Sequence, residues 1–399
     1  VLIDGVDELP SAQRTNMLEH LQMLVSTYPH ARYIITSRPA ALKSDLWPEW
    51  KEWIEKESFS ETSLKPMGQA HIDNFIDQWH EAFEKTIEDE EEIKDLKQFA
   101  GNLKRQLRQR PPLRRLAENP LLCAMICALH HDRRENLPAE RIDLYKGCVE
   151  MLLGRRDEGR KIHLGGDYPE LSNTQKLVLA QSFAYWLMQN GYSDVEIEEA
   201  DRHFDGKLST MNLPDVTGQG VRCLLVERAN LLREPVAQRV DFTHRTFQEF
   251  LAAQAAIKEN DIGVLIKNGR DDQWRETIIL AAGEARPKER EKLLTGLITK
   301  ADKLKTARNR KQLFLLALAC LETCVELAPD VRQLVLEKAA PLFPPQDEDD
   351  VKMMAAAGSP AVSLLKYNQD YAGEEAARCV KTLGMIGSNQ ALHIIKEFE

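Results

Sequence analysis

The chain reads as a mainly helical protein with a short α/β start, and three observations lead there. Val1-Leu2-Ile3 is an apolar run that ends in the acids Asp4, Asp7 and Glu8. A second short apolar run, Tyr33-Ile34-Ile35, follows one helix later. Beyond about residue 59 the apolar positions recur mostly at helical spacing to the C terminus.

An unbroken aliphatic run of this kind predicts a strand buried on both faces, as in a parallel α/β sheet, where ligands gather beyond the carboxyl ends of the strands. Asp4 stands at that end. One carboxylate there can hold Mg²⁺, usually through water, while a second orients or deprotonates an attacking water; Asp7 and Glu8 are the candidates for that second role. A plain acidic turn is the competing reading, since Asp-Gly followed by Asp-Glu is ordinary turn chemistry. Ser11 can cap a helix bearing Met17, Leu18, Leu21, Leu24 and Val25, which Tyr28-Pro29-His30 ends. The second strand empties into Thr36-Ser37-Arg38-Pro39, which sets two hydroxyls and a guanidinium beside the end that carries Asp4. A planar guanidinium suits a terminal phosphate; a surface arginine on a loop is the alternative for Arg38.

Asp4-Gly5-Val6-Asp7-Glu8-Leu9-Pro10, followed about thirty residues later by Tyr33-Ile34-Ile35-Thr36-Ser37-Arg38-Pro39, resembles the Walker B and sensor 1 segments of NACHT-type NTPases of the STAND class. The resemblance implies ATP or ADP with Mg²⁺ as cofactors. It places Asp4 on the metal, Asp7 and Glu8 as catalytic acids, and Arg38 near the γ-phosphate as both a catalytic and a nucleotide-binding residue. No G-x-x-x-x-G-K-[ST] loop occurs in the 399 residues, and Val1 lies inside a strand. The expectation is therefore a piece of a longer protein whose phosphate loop lies upstream, with no ATP hydrolysis by this chain alone; a degenerate family member is the alternative.

Composition bounds the rest. Several domains are expected of 399 residues with 43% hydrophobic content. The formal charge of −10 argues against a general binder of nucleic acid or anionic membranes. Part of that acidity sits in Glu88-Asp89-Glu90-Glu91-Glu92, which reads as a solvated loop or helix face. No signal peptide is evident, and the longest apolar stretch, Leu313 to Leu321, is too short to span a bilayer. A cytoplasmic location is expected, with no membrane association. Seven scattered cysteines fit a reducing compartment. Cys123 with Cys127 and Cys320 with Cys324 have helical i, i+4 spacing and read as buried core thiols, without the partners of a zinc site.

Further along, Trp47, Trp50 and Trp53 form a helical packing stripe, and Ile72, Phe75, Ile76 and Trp79 mark one face of a later helix. In Asn119-Pro120-Leu121-Leu122 the proline opens an apolar helix at the position it tolerates best. Helical patterns run over Leu144–Leu153 and Leu177–Met188. Cys223-Leu224-Leu225-Val226 and Val240-Asp241-Phe242 are expected to pair as the wing of a winged-helix domain. Thr246 and Glu249 suggest a capping box that starts a helix near Thr246, with His244 just before its positive end, where free amides and an imidazole make an anion site. A histidine satisfied by backbone in a strand-to-helix corner is the alternative. Phe242-Thr243-His244-Arg245-Thr246-Phe247-Gln248-Glu249-Phe250 resembles the second NACHT signature. The resemblance implies that His244 contacts the β-phosphate of ADP and that Pro120 packs on the adenine.

Trp274 to Gly283 resembles the helix that follows the winged-helix domain in bacterial NACHT proteins. Amphipathic helices then recur over Leu313–Leu327, Val331–Ala340, Val351–Ala357, Glu374–Leu383 and Asn389–Phe398, the last pair resembling a HEAT repeat. The expected organisation is the C-terminal part of a P-loop NTPase core (1–58), a helical domain (59–130), a winged-helix domain (131–258) and a HEAT-like helical region (259–399). The resemblance implies a nucleotide-dependent switch in innate immune or antiphage defence that oligomerises with itself on sensing a protein or other ligand at the C-terminal region. A catalytically dead helical-repeat scaffold and a winged-helix transcription regulator are the competing functions.

Overall fold

The computed structural model describes residues 1–6, 11–37, 48–60, 62, 64–85, 90–132, 137–138, 140–155, 168–235 and 238–398. It is mainly helical, and its compact units do not follow chain order. One unit comprises 1–62, 179–218 and 233–399; the other comprises 63–178 and 219–232.

In the first unit, β1 (Leu2–Ile3) pairs in parallel with β2 (Ile34–Ile35), with Leu2 opposite Ile34 and Ile3 opposite Ile35. The crossover between them is α1 (Ser11–Thr27). Only one face of this ribbon is covered. Ile3 and Ile35 pack on Val6, Leu18, Leu21, Trp50 and Trp53, whereas Leu2 is 79% and Ile34 60% exposed. The expectation of a strand buried on both faces is thus corrected: two strands with one crossover helix supply cover for a single side. Trp50 and Trp53, on α2 (Pro48–Lys56), meet edge to face at 5.3 Å and are packing residues, as their spacing implied; Trp47 lies outside the described residues.

Within the same unit, β3 (Val195–Glu196) runs antiparallel to β5 (Arg239–Phe242); β4 (Leu232–Arg233), of which Arg233 belongs to this unit, lies on the other side of β5. Residues 223–226, which belong to the second unit, are not a strand. Cys223 ends α10 (Gly218–Cys223), and Leu224–Arg228 continue it as a π-helical turn closed by the Ala229 amide on the Leu224 carbonyl at 3.0 Å. A short apolar run with Leu224 and Leu225 buried satisfies either a strand or a helix by periodicity, and the adjoining helix decided it.

Next come α9 (Ile197–Ser209), α11 (Arg245–Lys258) and a succession of helices: α12 (Ile262–Lys267), α13 (Arg275–Glu284), α14 (Pro287–Asp302), α15 (Ala307–Cys320), α16 (Pro329–Ala339), α17 (Glu348–Ala355), α18 (Ser359–Val362), α19 (Gly373–Ile386) and α20 (Asn389–Ile395). Neighbours pack in turn: α11 on α13, α12 on α14, α14 on α15, α15 on α16, α17 on α19, and α19 on α20. Several limits differ from the sequence pattern. The polar run from Ala307 is already helix, so α15 spans 307–320 and not 313–327. Likewise α19 continues through Ile386 before Gly387 turns left-handed at φ 66° to cap it.

The second unit is a helical bundle of α3 (Gln69–Glu84), α4 (Glu90–Gln109), α5 (Pro111–Ala117), α6 (Pro120–Asp132) and α7 (Arg141–Glu150), joined by residues 173–178 of α8 (Asn173–Asn190). Ile72, Ile76, Leu103, Leu107, Ile126 and Leu129 are fully buried in it. Arg108 pairs with Asp73 at 2.6 Å, and Lys104 with Asp77. A π-helical turn at Met151–Arg155 ends α7, and the buried Lys176 ammonium donates to the Leu153 carbonyl at 3.0 Å. Cys123, Cys127 and Cys148 here, and Cys320, Cys324 and Cys379 in the other unit, are buried thiols, and none of them forms a disulfide among the described residues. The core-thiol expectation holds for both i, i+4 pairs, and no group of three or more metal-ligating side chains occurs among the described residues. Among them, too, no helix is long and apolar enough to cross a membrane.

Arg290 on α14 is the main polar tie of the helical succession. Its guanidinium donates to the carbonyls of Ala282 at 2.6 Å, Ala285 at 2.8 Å and Gly283 at 3.1 Å, and to that of Glu326. These close the C-terminal end of α13 and hold the loop after α15. Arg290→Met is expected to lower the unfolding free energy by about 3 kcal/mol, because buried carbonyls lose a charged donor; urea unfolding of the full chain measures it, and Arg290→Lys should recover part.

His203 on α9 stacks on Trp186 at 4.7 Å and bonds Ser182 Oγ at 3.1 Å. Burial, and then the Lys207 charge, push its imidazole down to about 4 from 6.5. Neutral His203 therefore contributes stability above its unfolded value, and that contribution is lost as pH falls from about 6.5 through about 4. His203→Gln should flatten the thermal midpoint's dependence on pH across that window; an equally steep profile would remove His203 from the cause.

Candidate functional site

The first cluster of predicted site residues is built by the parallel ribbon. Hydrogen bonds extend its ladder past both strands: the Thr36 amide donates to the Ile3 carbonyl at 2.9 Å, and the Val6 amide to the Thr36 carbonyl at 3.1 Å. Gly5 takes φ 68°, a left-handed conformation that costs glycine nothing. That bend drives Val6 into the core and leaves Asp4 exposed beyond the strand. The Thr36 hydroxyl accepts from the Gly5 amide at 2.9 Å and donates to Asp4 Oδ1. One carboxylate oxygen is thereby oriented, and among the described residues no side chain bonds its partner oxygen. The sequence placed Thr36 next to Asp4 without giving it a part; the structure makes it the positioning residue. Asp7, Glu8 and Arg38 lie outside the described residues.

Pro120 is the first residue of α6, in the second unit, and is exposed. Asn119 caps that helix, its Oδ1 accepting from the Leu122 amide at 3.2 Å while its carbonyl takes the Cys123 amide at 2.8 Å. A ring locked near helical φ starts the helix without wasting a donor.

The second cluster surrounds His244, the N-cap of the fourteen-residue α11. The expected capping box is corrected. The helix starts at Arg245, one residue early. Glu249, 1% exposed, cannot reach back toward solvent and pairs instead with Arg245 at 3.3 Å. His244 makes no side-chain cap bond, although its carbonyl accepts from the Phe247 amide at 2.9 Å. The ring itself leans on Phe247, with centroids 6.1 Å apart.

Two further residues of this corner escaped the sequence reading. On β5, Val240 and Phe242 face the core while Asp241 points to the other side. Asp241 receives Arg233 in a two-pronged pair at 2.9 and 3.1 Å, and neighbouring Arg239 pairs with Asp194. The alternation in Arg239-Val240-Asp241-Phe242 was the available signal. Desolvation first, and then the Arg233 charge, hold His244 below the usual histidine range. At neutral pH the corner therefore offers a neutral imidazole, the positive end of a helix and a guanidinium partly neutralised by Asp241.

No protein-family model matches the chain, and no curated protein matches it.

The titration of His244 can be followed by its ring proton resonances. Its midpoint should fall below 6.5, and Arg233→Gln should raise it while burial keeps it under the free value. A midpoint unmoved by Arg233→Gln would remove the guanidinium from the site.

Proposed function

We propose that the chain is the C-terminal part of a nucleotide-dependent signalling switch of the NACHT type, carrying the metal and water side of an ATP site and a histidine that reads the bound nucleotide. The observation that carries this reading is the pairing of Asp4 with Thr36 at the carboxyl ends of two adjacent parallel strands. An oriented carboxylate at that place fits a Walker B acid, and a hydroxyl on the next strand fits a sensor position. His244, neutral and set at a helix start, fits a donor to a diphosphate.

In this reading Asp4 would help hold Mg²⁺, which would supply charge stabilisation to the phosphates, and Asp7 and Glu8 would orient or deprotonate an attacking water. Arg38 would meet the γ-phosphate. His244 would hold the ADP form closed, and exchange for ATP would favour an open form that oligomerises, with hydrolysis as the reset. Pro120 would lie on the adenine face. The helical succession from Ile262 onward serves as a HEAT-like ligand-sensing region. Since the chain holds no G-x-x-x-x-G-K-[ST] segment, the phosphates would be cradled by a loop supplied N-terminal to Val1.

The same helical succession favours one second reading, a scaffold of stacked helices without turnover. One experiment separates them. In a protein carrying this chain behind a phosphate loop, Asp4→Asn should cut Mg²⁺-dependent ATP hydrolysis by roughly 100-fold, and His244→Ala should raise the oligomer fraction seen by light scattering without added ligand. Hydrolysis unaltered by Asp4→Asn returns the Asp-Gly bend to an acidic turn, and absent hydrolysis in the parent protein favours the scaffold.

A further inference from the structure

One edge of the helical succession inverts the charge of the chain. Residues 292–311 hold seven lysines and arginines and the single acid Asp302, within a protein of formal charge −10. Net charge describes the whole molecule and is silent on such segregation.

Two turns bring these bases together. Lys300 on α14 donates to the carbonyls of Ile266 at 2.9 Å and Lys267 at 2.6 Å, which ties the end of α12 to the end of α14. Gln312 on α15 donates to the Arg270 carbonyl at 3.0 Å, and Arg310 to that of Leu304 at 3.3 Å. Gly269 lies so close beneath that an added Cβ would come within 2.9 Å of both Leu297 and Leu313. The turns 266–271 and 302–306 are therefore fixed side by side.

Several charges at this edge are already engaged. Asp302 pairs with Lys338 at 2.8 Å, Arg308 with Asp349 at 3.3 Å and Lys311 with Asp350 at 2.6 Å, while Asp271 caps the Gln273 amide at 3.0 Å. Lys267, Arg270, Lys303 and Lys305 are exposed, and among the described residues none of them enters an ion pair. Like-charge crowding is felt at Lys300, whose ammonium is held below the usual range by burial first and then by Arg270 and Lys267. The positive end of the fourteen-residue α15 adds to the same turn: Thr306 makes no side-chain cap bond, and no acid lies in the first turn.

We propose that this edge binds the phosphate backbone of a nucleic acid, with Lys267, Arg270, Lys303 and Lys305 as the phosphate contacts. Four unpaired cations spread over two adjoining turns suit a line of phosphates, and counterion release would drive the association without reading sequence. The surface lacks what other polyanion carriers would use. No large apolar side chain among the described residues from 262 to 320 is exposed, so it offers neither a wedge for a lipid surface nor an aromatic anchor for a protein partner. The inference is independent of the nucleotide switch, since it needs neither Mg²⁺ nor ATP.

The test is fluorescence anisotropy of the full chain with a labelled 20-base-pair duplex of random sequence, without nucleotide, over a salt series. About four phosphate contacts predict a log–log salt slope near −4 and a roughly 100-fold loss of affinity between 50 and 200 mM salt. Lys303→Glu with Lys305→Glu should make the slope shallower by about 2 and weaken binding at least about 10-fold at 50 mM, with the thermal midpoint unchanged. Absence of binding at 50 mM salt, or equal binding by the double variant, overturns the proposal. So does tighter binding of a polyglutamate peptide, which makes the surface an acidic-protein site, or of phosphatidylserine vesicles, which makes it a membrane site.

Discussion

The interaction on which much of the first unit depends is the burial of α11. Nine of its residues, from Phe247 to Ala256, are buried. Ala252, Ala253, Ala255 and Ala256 keep that surface small, so α13 can pack closely upon it. A helix so enclosed must still place its polar residues. Glu249 is the hard case, because a lone buried carboxylate costs several kcal/mol, and Arg245 one turn earlier resolves it. At the other end Gln181 joins Gln254 and the Lys258 ammonium, each at 2.7 Å, and Tyr185 donates to Asp261 at 2.8 Å. The helix is held at both ends by satisfied polar groups. His244 occupies a fixed place because the helix behind it has no freedom to slide.

The same logic governs the helices that follow. Their reversals are closed by side chains that reach the last carbonyls of a neighbouring helix. Arg290 does so for α13 and Lys300 for α12, while the Thr323 hydroxyl donates to the mid-helix carbonyl of Ile279 on α13 at 2.7 Å. Asp350 is 3% exposed, yet it takes the Lys311 ammonium at 2.6 Å and the Gln346 amide at 3.0 Å. Buried polar groups that are fully paired add direction to contacts that apolar packing alone leaves free to slip. A succession of helices with loosely repeating sequence needs such registration, because leucine and alanine faces fit one another in several ways.

What the sequence made legible follows from how local each signal is. Periodicity found the helices around Ile72, Leu144, Leu177 and Val331, and Pro120 marked a helix start to the residue. It misplaced the beginning of α15, since Ala307-Arg308-Asn309-Arg310 carries no apolar stripe although every residue in it is tolerated by a helix. Thr246 and Glu249 have the spacing of a capping box, but that motif needs a solvated glutamate free to fold back, and burial of Glu249 is a tertiary fact. The Asp4–Thr36 contact was half legible: the strands and their order were readable, whereas the hydroxyl's orientation depends on the register of Ile3 with Ile35. Arg233 and Asp241 join through sheet pairing, which no local window displays.

An acidic turn and a metal-holding strand end differ in what they ask of Asp4. A solvated turn gains nothing from immobilising its carboxylate, and an exposed hydrogen bond returns little for the side-chain freedom it removes. At Asp4 the restraint is built from two sides. Gly5 adopts the one bend that sends the chain inward at Val6, and Thr36 spends its hydroxyl on both the Gly5 amide and the carboxylate. The ribbon beneath is asymmetric as well, with Leu2 and Ile34 open on the face that a parallel sheet ordinarily covers. A carboxylate oriented at the end of such a strand is available as a ligand, and that availability is the feature the proposed nucleotide reading uses.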